Sequence, residues 1–196
     1  MKIVHLIAGI ALSATPSLAE ETTQLDAHEH GVGQLNIAFD ENKVAMGLHA
    51  PGADIVGFEY GAKSDVDLAA IDAALQTLSD PLGLFLLPEA ASCIVITAHA
   101  KLESEDSDHD DHDEEGHDDH DDEGHDDHDE APGHTEFHAE YLLECANLTE
   151  MSAITFSYFE IFPNALELEV QVISDKGATA FEIERDVAKL DLRGIF

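Results

Sequence analysis

Six histidines crowd into twenty residues of this chain, and their spacing is regular. The stretch reads H-D-D-H-D-E-E-G, then H-D-D-H-D-D-E-G, then H-D-D-H-D-E, an octad written almost three times. It sets His109, His117 and His125 in one series and His112, His120 and His128 in the other. Between Glu103 and Glu130 there are 18 carboxylates and no Lys or Arg. Two imidazoles at i and i+3 can reach one ion, with one or two carboxylates completing a tetrahedral shell of the kind zinc takes. Gly116 and Gly124 give slack between successive pairs. A solvated acidic linker is the plain alternative, since most charge runs are no more than that. Such a linker has no reason to place His at a fixed interval. An expression tag would carry its His unbroken at a terminus.

Zn2+ leads on ligand type, although copper(II) and nickel(II) bind imidazole at least as well in the general affinity order. No D-x-D-x-D-G loop ending in Glu is present to suggest calcium. Further histidines lie outside the octads. His28 and His30 are spaced i,i+2, on one side of an extended segment. His99, His134 and His138 flank the acidic stretch and could form an ordered site at its base, or be strand-end surface residues. His49 follows Leu48 in an alternating segment and faces the other way; a lone His is more often structural. We expect no enzyme. No H-E-x-x-H, G-x-S-x-G or phosphate-binding loop occurs, and catalysis needs a held geometry.

Whatever displays these side chains must do so outside the cytoplasm. Residues 1–19 have the form of a signal peptide: Lys2, then a short apolar run from Ile3 to Leu12, then Ser17-Leu18-Ala19 before a mature start at Glu20. The run is too short to span a bilayer, and no later one is long enough. The expected location is a bacterial periplasm, with no membrane insertion after cleavage. With 8 basic against 43 acidic side chains and a formal charge of −35, nucleic acid and anionic lipid would be repelled and cations attracted. In an oxidising compartment Cys93 and Cys145 are expected to form a disulfide. Both are equidistant from residue 119, so a hairpin centred on the octads would set them opposite one another and staple the base of the loop.

The rest of the chain, residues 20–196, suits one domain. Leu35, Ile37 and Phe39 alternate with smaller or polar residues, Asp40 to Lys43 forms a turn, and Val44, Met46 and Leu48 alternate back. Ser64 with Asp67 resembles a capping box, and Leu68, Ile71, Leu75 and Leu78 follow at helical spacing over residues 65–79. Asp80-Pro81 opens a second, short helix through Leu87, stopped by Pro88. Ser92 to Leu102 is β-branched and predicts a strand with both faces covered, and Glu136 to Cys145 predicts its partner. Ile154 to Phe162 predicts a strand turning into a helical turn before Pro163. Leu166, Leu168, Val170 and Val172 form a one-sided strand, Ser174 to Gly177 a hairpin turn, and Ala178 to Ile183 the return. The tail from Arg185 predicts a short helix or strand closing the core. The sum is α+β: an antiparallel sheet with two or three helices on one face, and a long disordered His/Asp-rich loop at about residues 103–134.

Ala27-His28-Glu29-His30-Gly31, Gly33 to Phe39, and Leu48-His49-Ala50-Pro51-Gly52-Ala53-Asp54-Ile55-Val56-Gly57-Phe58-Glu59 together resemble the start of the ZrgA-type family. These are exported bacterial proteins associated with zinc acquisition. Phe159 to Pro163, the alternating strand after it, and the His/Asp-rich insertion between the cysteine-bearing strands are similar as well. Tyr60 departs from the pattern, in which His commonly follows Gly-Phe-Glu. The resemblance implies a periplasmic zinc-binding protein that assists uptake, by supplying an ABC-type importer or its binding protein. The alternatives are a buffer or adaptor for copper, nickel or a basic protein partner, and a metalloenzyme.

Overall fold

A computed structural model of the chain describes residues 29–104 and 134–195. The first two alternating segments form strands β1 (Val32–Asp40) and β2 (Lys43–Pro51), paired antiparallel across the expected turn. Three helices follow: α1 (Gly52–Ile55), α2 (Asp65–Leu78) and α3 (Pro81–Leu84). The Ser64 capping box is formed: its hydroxyl accepts from the Asp67 N–H at 3.1 Å, and its own N–H donates to the Asp67 carboxylate at 3.3 Å. Such a cap is worth about 1 kcal/mol. The short helix ends at Leu84 instead of Leu87, because Phe85–Leu86 (β3) pairs with Phe156 and Thr155. Strands β4 (Cys93–Ser104) and β5 (Thr135–Cys145) flank the acidic stretch. Then come β6 (Ala153–Phe156), α4 (Tyr158–Ile161), β7 (Glu167–Ser174), β8 (Gly177–Glu184) and β9 (Lys189–Asp191).

The large sheet has the order β4-β5-β2-β1-β7-β8, and β3-β6-β9 make a smaller one. Sheet dominates over helix, so the molecule is mainly β, with an open sheet. The large sheet is not wholly antiparallel, contrary to the sequence expectation: β1 and β7 run parallel, from Val32 opposite Glu167 to Ala38 opposite Ile173. Alternation reports which face of a strand is buried and is blind to the direction of its neighbour. The tail supplies β9, the edge of the small sheet, after one 3-10 turn at Arg185–Val187.

Leu35, Ile37, Leu48, Phe137, Leu143, Leu168 and Val172 line one face of the large sheet and are fully shielded from solvent. Ile71, Ala74 and Leu78 of α2 and the rings of Phe85, Phe156, Tyr158, Phe159 and Phe162 cover that face. Tyr141 fastens sheet to helix by donating to the Leu78 carbonyl at 2.8 Å. Residues of opposite parity, including Asn36, His49, Glu136, His138 and Glu169, stand on the solvated face, as antiparallel-rich sheets allow.

β4 departs from its prediction. It is an edge strand, and Ile94, Val95 and Ile96 are exposed. Their β-branching signals strand propensity, not two-sided burial. The Cys93–Cys145 disulfide is present, at the register expected. It closes the far end of the β4–β5 hairpin, not the base of the loop. The loop leaves at the other end, between Ser104 and His134, roughly 35 Å along strands of this length.

Candidate metal centre

Every described histidine but His99 lies near the end of the large sheet from which the acidic stretch departs. Here β2 is ending, β5 is beginning and the chain is entering β1. The pairing of β2 with β5 puts His49 directly opposite His138 on the solvated face, with Glu136 two residues before His138 on the same side. The two rings approach to 4.2 Å between centroids at a 57° tilt. His138 Nε2 lies 2.5 Å from Glu136 Oε2, and His49 Nδ1 lies 3.7 Å from the same oxygen, an ion-pair separation too long for a hydrogen bond. One ligand atom from each of the three falls within 4.8 Å of the others. Glu103, across the β4–β5 pair, brings its Oε2 to 3.3 Å from His138 Nε2. Lys101 on β4 pairs with the Glu103 carboxylate and holds it below the usual glutamate range. Glu136 raises the His49 pKa above the ordinary imidazole value against the opposing effect of burial.

Around a tetrahedral zinc, nitrogen and oxygen ligands at about 2.1 Å sit about 3.4 Å from one another. The His49, Glu136 and His138 atoms bracket that spacing. Small rotations of partly exposed side chains would gather them around an ion, with Glu103 or water as a fourth ligand.

A second group has formed beside this one. Glu59 Oε2 sits 2.9 Å from His30 Nε2 and 3.0 Å from His134 Nδ1. Glu59 lies on the connection between α1 and α2, after Gly57 at φ +84°, where Phe58 and Tyr60 stack with ring centroids 4.8 Å apart. Burial would raise the Glu59 pKa, but hydrogen bonds from His134 and His30 outweigh it and leave the carboxyl below its usual value. The same contact with Glu59 raises the His30 pKa. His30 is fixed through its neighbour. Gly31, at φ +90°, donates its N–H to Asp54 at 2.7 Å, and Asp54 is 2% exposed. A Cβ at Gly52 would fall 2.3 Å from Thr135 Oγ1, so α1 packs on the start of β5 only through glycine.

The predicted ligands therefore divide. His30 and His134 meet on Glu59, and His138 meets His49 and Glu136. His99 joins neither group. A register shift between Val95 and Thr97 puts it opposite Glu140 instead of Ala139, and Lys101, not His99, faces His138. His99, His134 and His138 are thus not gathered into one cluster. His28, His109, His112, His117, His120, His125 and His128 lie outside the described residues, as does the predicted signal peptide. Sequence reasoning left His49 as an ambiguous lone residue and did not single out Glu59, Glu103 or Glu136. The i,i+2 spacing of Glu136 and His138 on one strand face was the available signal.

No helix among the described residues is long and apolar enough to cross a membrane. No curated protein matches the chain. The family model described as "ZrgA family zinc uptake protein" matches residues 27–192.

Proposed function

This chain belongs to the ZrgA family of zinc uptake proteins, and from that premise we propose that it captures zinc in the periplasm and passes it toward an ABC-type importer. The observation that carries this reading is the convergence of His49, Glu136 and His138 on the open face of the sheet, at the end from which the octads depart. Imidazole with carboxylate is a zinc-type donor set. The face is solvated, so a bound ion can be delivered from the octads and collected by a receptor. The −35 charge draws cations to the surface before any ligand is engaged. In this reading the protein binds and hands on its cargo without catalysing a reaction. The octad histidines act as many weak collectors, and the sheet site as a tighter station whose backbone is already ordered.

Titration calorimetry and native mass spectrometry of the full chain, of a chain lacking residues 105–133 and of His49→Ala/His138→Ala test this. Zinc stoichiometry is expected to fall sharply without residues 105–133. The double variant is expected to lose one ion of the tight class. Equal stoichiometry in all three refutes the proposal. Competition with copper and nickel in the same spectra tests the choice of zinc.

A further inference from the structure

The geometry points to a second, separate cation site made by His30, Glu59 and His134, suited to a borderline divalent metal such as zinc. It rests on the reading that the protein carries zinc, and it adds a site that this reading does not need.

Three segments distant in sequence supply the donors: the approach to β1, the α1–α2 connection and the residue preceding β5. Two imidazole nitrogens address one carboxylate oxygen, at 2.9 and 3.0 Å. A tetrahedral zinc shell sets neighbouring donors about 3.4 Å apart, so each nitrogen must draw back from the Glu59 oxygen by a few tenths of an ångström. The two exposed rings, unlike the donors of the sheet group, are not already within 4.8 Å of one another and must swing together around the ion. The burial pattern suits capture. The Glu59 side chain is 13% exposed, while His30 and His134 are 68% and 52% exposed, so the outer hemisphere is free for the ion and its water. The inner part is braced. Gly31 is held by buried Asp54, and Phe58 and Tyr60 stack on either side of Glu59 in sequence.

The protons balance. His30 must offer a lone pair at Nε2 and carry its proton at Nδ1, and His134 the reverse. A neutral ring achieves this by moving its proton to the other nitrogen, through solvent. A ring that is protonated at the outset releases one proton for each ion bound. Imidazole donors disfavour calcium and magnesium, which take oxygen shells. An ion held here would tie residue 30 to residue 134 and so fix both chain segments at the root of the acidic stretch.

The test uses the full chain, labelled with ¹⁵N and titrated with zinc, reading the long-range ¹H–¹⁵N signals of the histidine rings. His30→Ala and His134→Ala assign the two rings. In wild type, His30 Nε2 and His134 Nδ1 are expected to take metal-bound shifts together, at one zinc occupancy. Glu59→Gln, which keeps the shape of the side chain, should weaken that event about tenfold or more while the His49 and His138 rings respond as before. His30→Gln, at an exposed position, should remove the zinc shift of His134. If the His49 and His138 rings respond and those of His30 and His134 do not, this site is refuted and the first stands. If His30 and His134 respond equally well with Gln at position 59, the three-residue site is also refuted. If no ring of either group responds, the zinc-carrier reading itself fails.

Discussion

Replacing His138 with Ala is the sharpest perturbation of the sheet site. Its Nε2 sits between two carboxylates, 2.5 Å from Glu136 and 3.3 Å from Glu103, and its ring lies against that of His49. Without it the face keeps one imidazole and loses the ring that bridges the Glu136 and Glu103 carboxylates. Structural zinc sites release about 10–16 kcal/mol over four ligands, or about 3 kcal/mol for each. At about 1.4 kcal/mol per tenfold, removing one ligand should weaken zinc binding here by about 100-fold. The ring signal of His49 belongs to this site alone, so its zinc titration against a chelator of known affinity isolates the effect from the octads. His99→Ala is the control, because His99 faces Glu140 and joins neither cluster. A His138→Ala chain whose His49 ring binds zinc as in wild type, or a His99→Ala chain equally impaired, would show that the convergence on Glu136 is not a metal site.

Other expectations follow from the same geometry. In the metal-free protein, the raised His49 pKa means that the folded state holds more protons than the unfolded state at and just above the ordinary imidazole pKa of 6.5. Its contribution to stability is full below 6.5 and is lost as pH rises through the folded value, so Tm should climb on acidification through that window. The climb should shrink in His49→Gln; an unchanged pH profile in that variant defeats the assignment. Glu59 has the opposite sign: its contribution is full above its unfolded value of 4.5 and is lost as pH falls through its lowered folded value. Zinc affinity should fall on acidification in the His49 window, as protons displace the ion, measurable by calorimetry at stepped pH. Reducing the Cys93–Cys145 bridge, which spans 52 residues of sequence, should cost on the order of 4 kcal/mol on the chain-entropy model, read as a loss of denaturant midpoint without loss of zinc at the distant sheet end. Gly52→Ala should destabilise by about 1–3 kcal/mol in thermal unfolding, since its Cβ would collide with Thr135 at the start of β5.

The chemistry of this protein was written locally, in its sequence. A fixed octad of imidazoles among carboxylates and an excess of negative charge predict a chain that attracts cations, and two cysteines at matched distance from one centre predict the bridge that the β4–β5 hairpin carries. Alternation likewise named β1, β2 and β7 and the buried side of each, because a period of two reports burial directly. What alternation cannot carry is which strands become neighbours. His49 and His138 are 89 positions apart and meet only because β2 takes β5 as its partner, and His30, Glu59 and His134 meet only because α1 packs on the root of β5. One bulge between Val95 and Thr97 shifted the register by a residue and moved His99 away from the site predicted for it. The kinds of ligand were thus determined by sequence. Their grouping was decided by long-range strand pairing, whose energy is spread over the whole sheet and leaves no local mark on the residues it brings together.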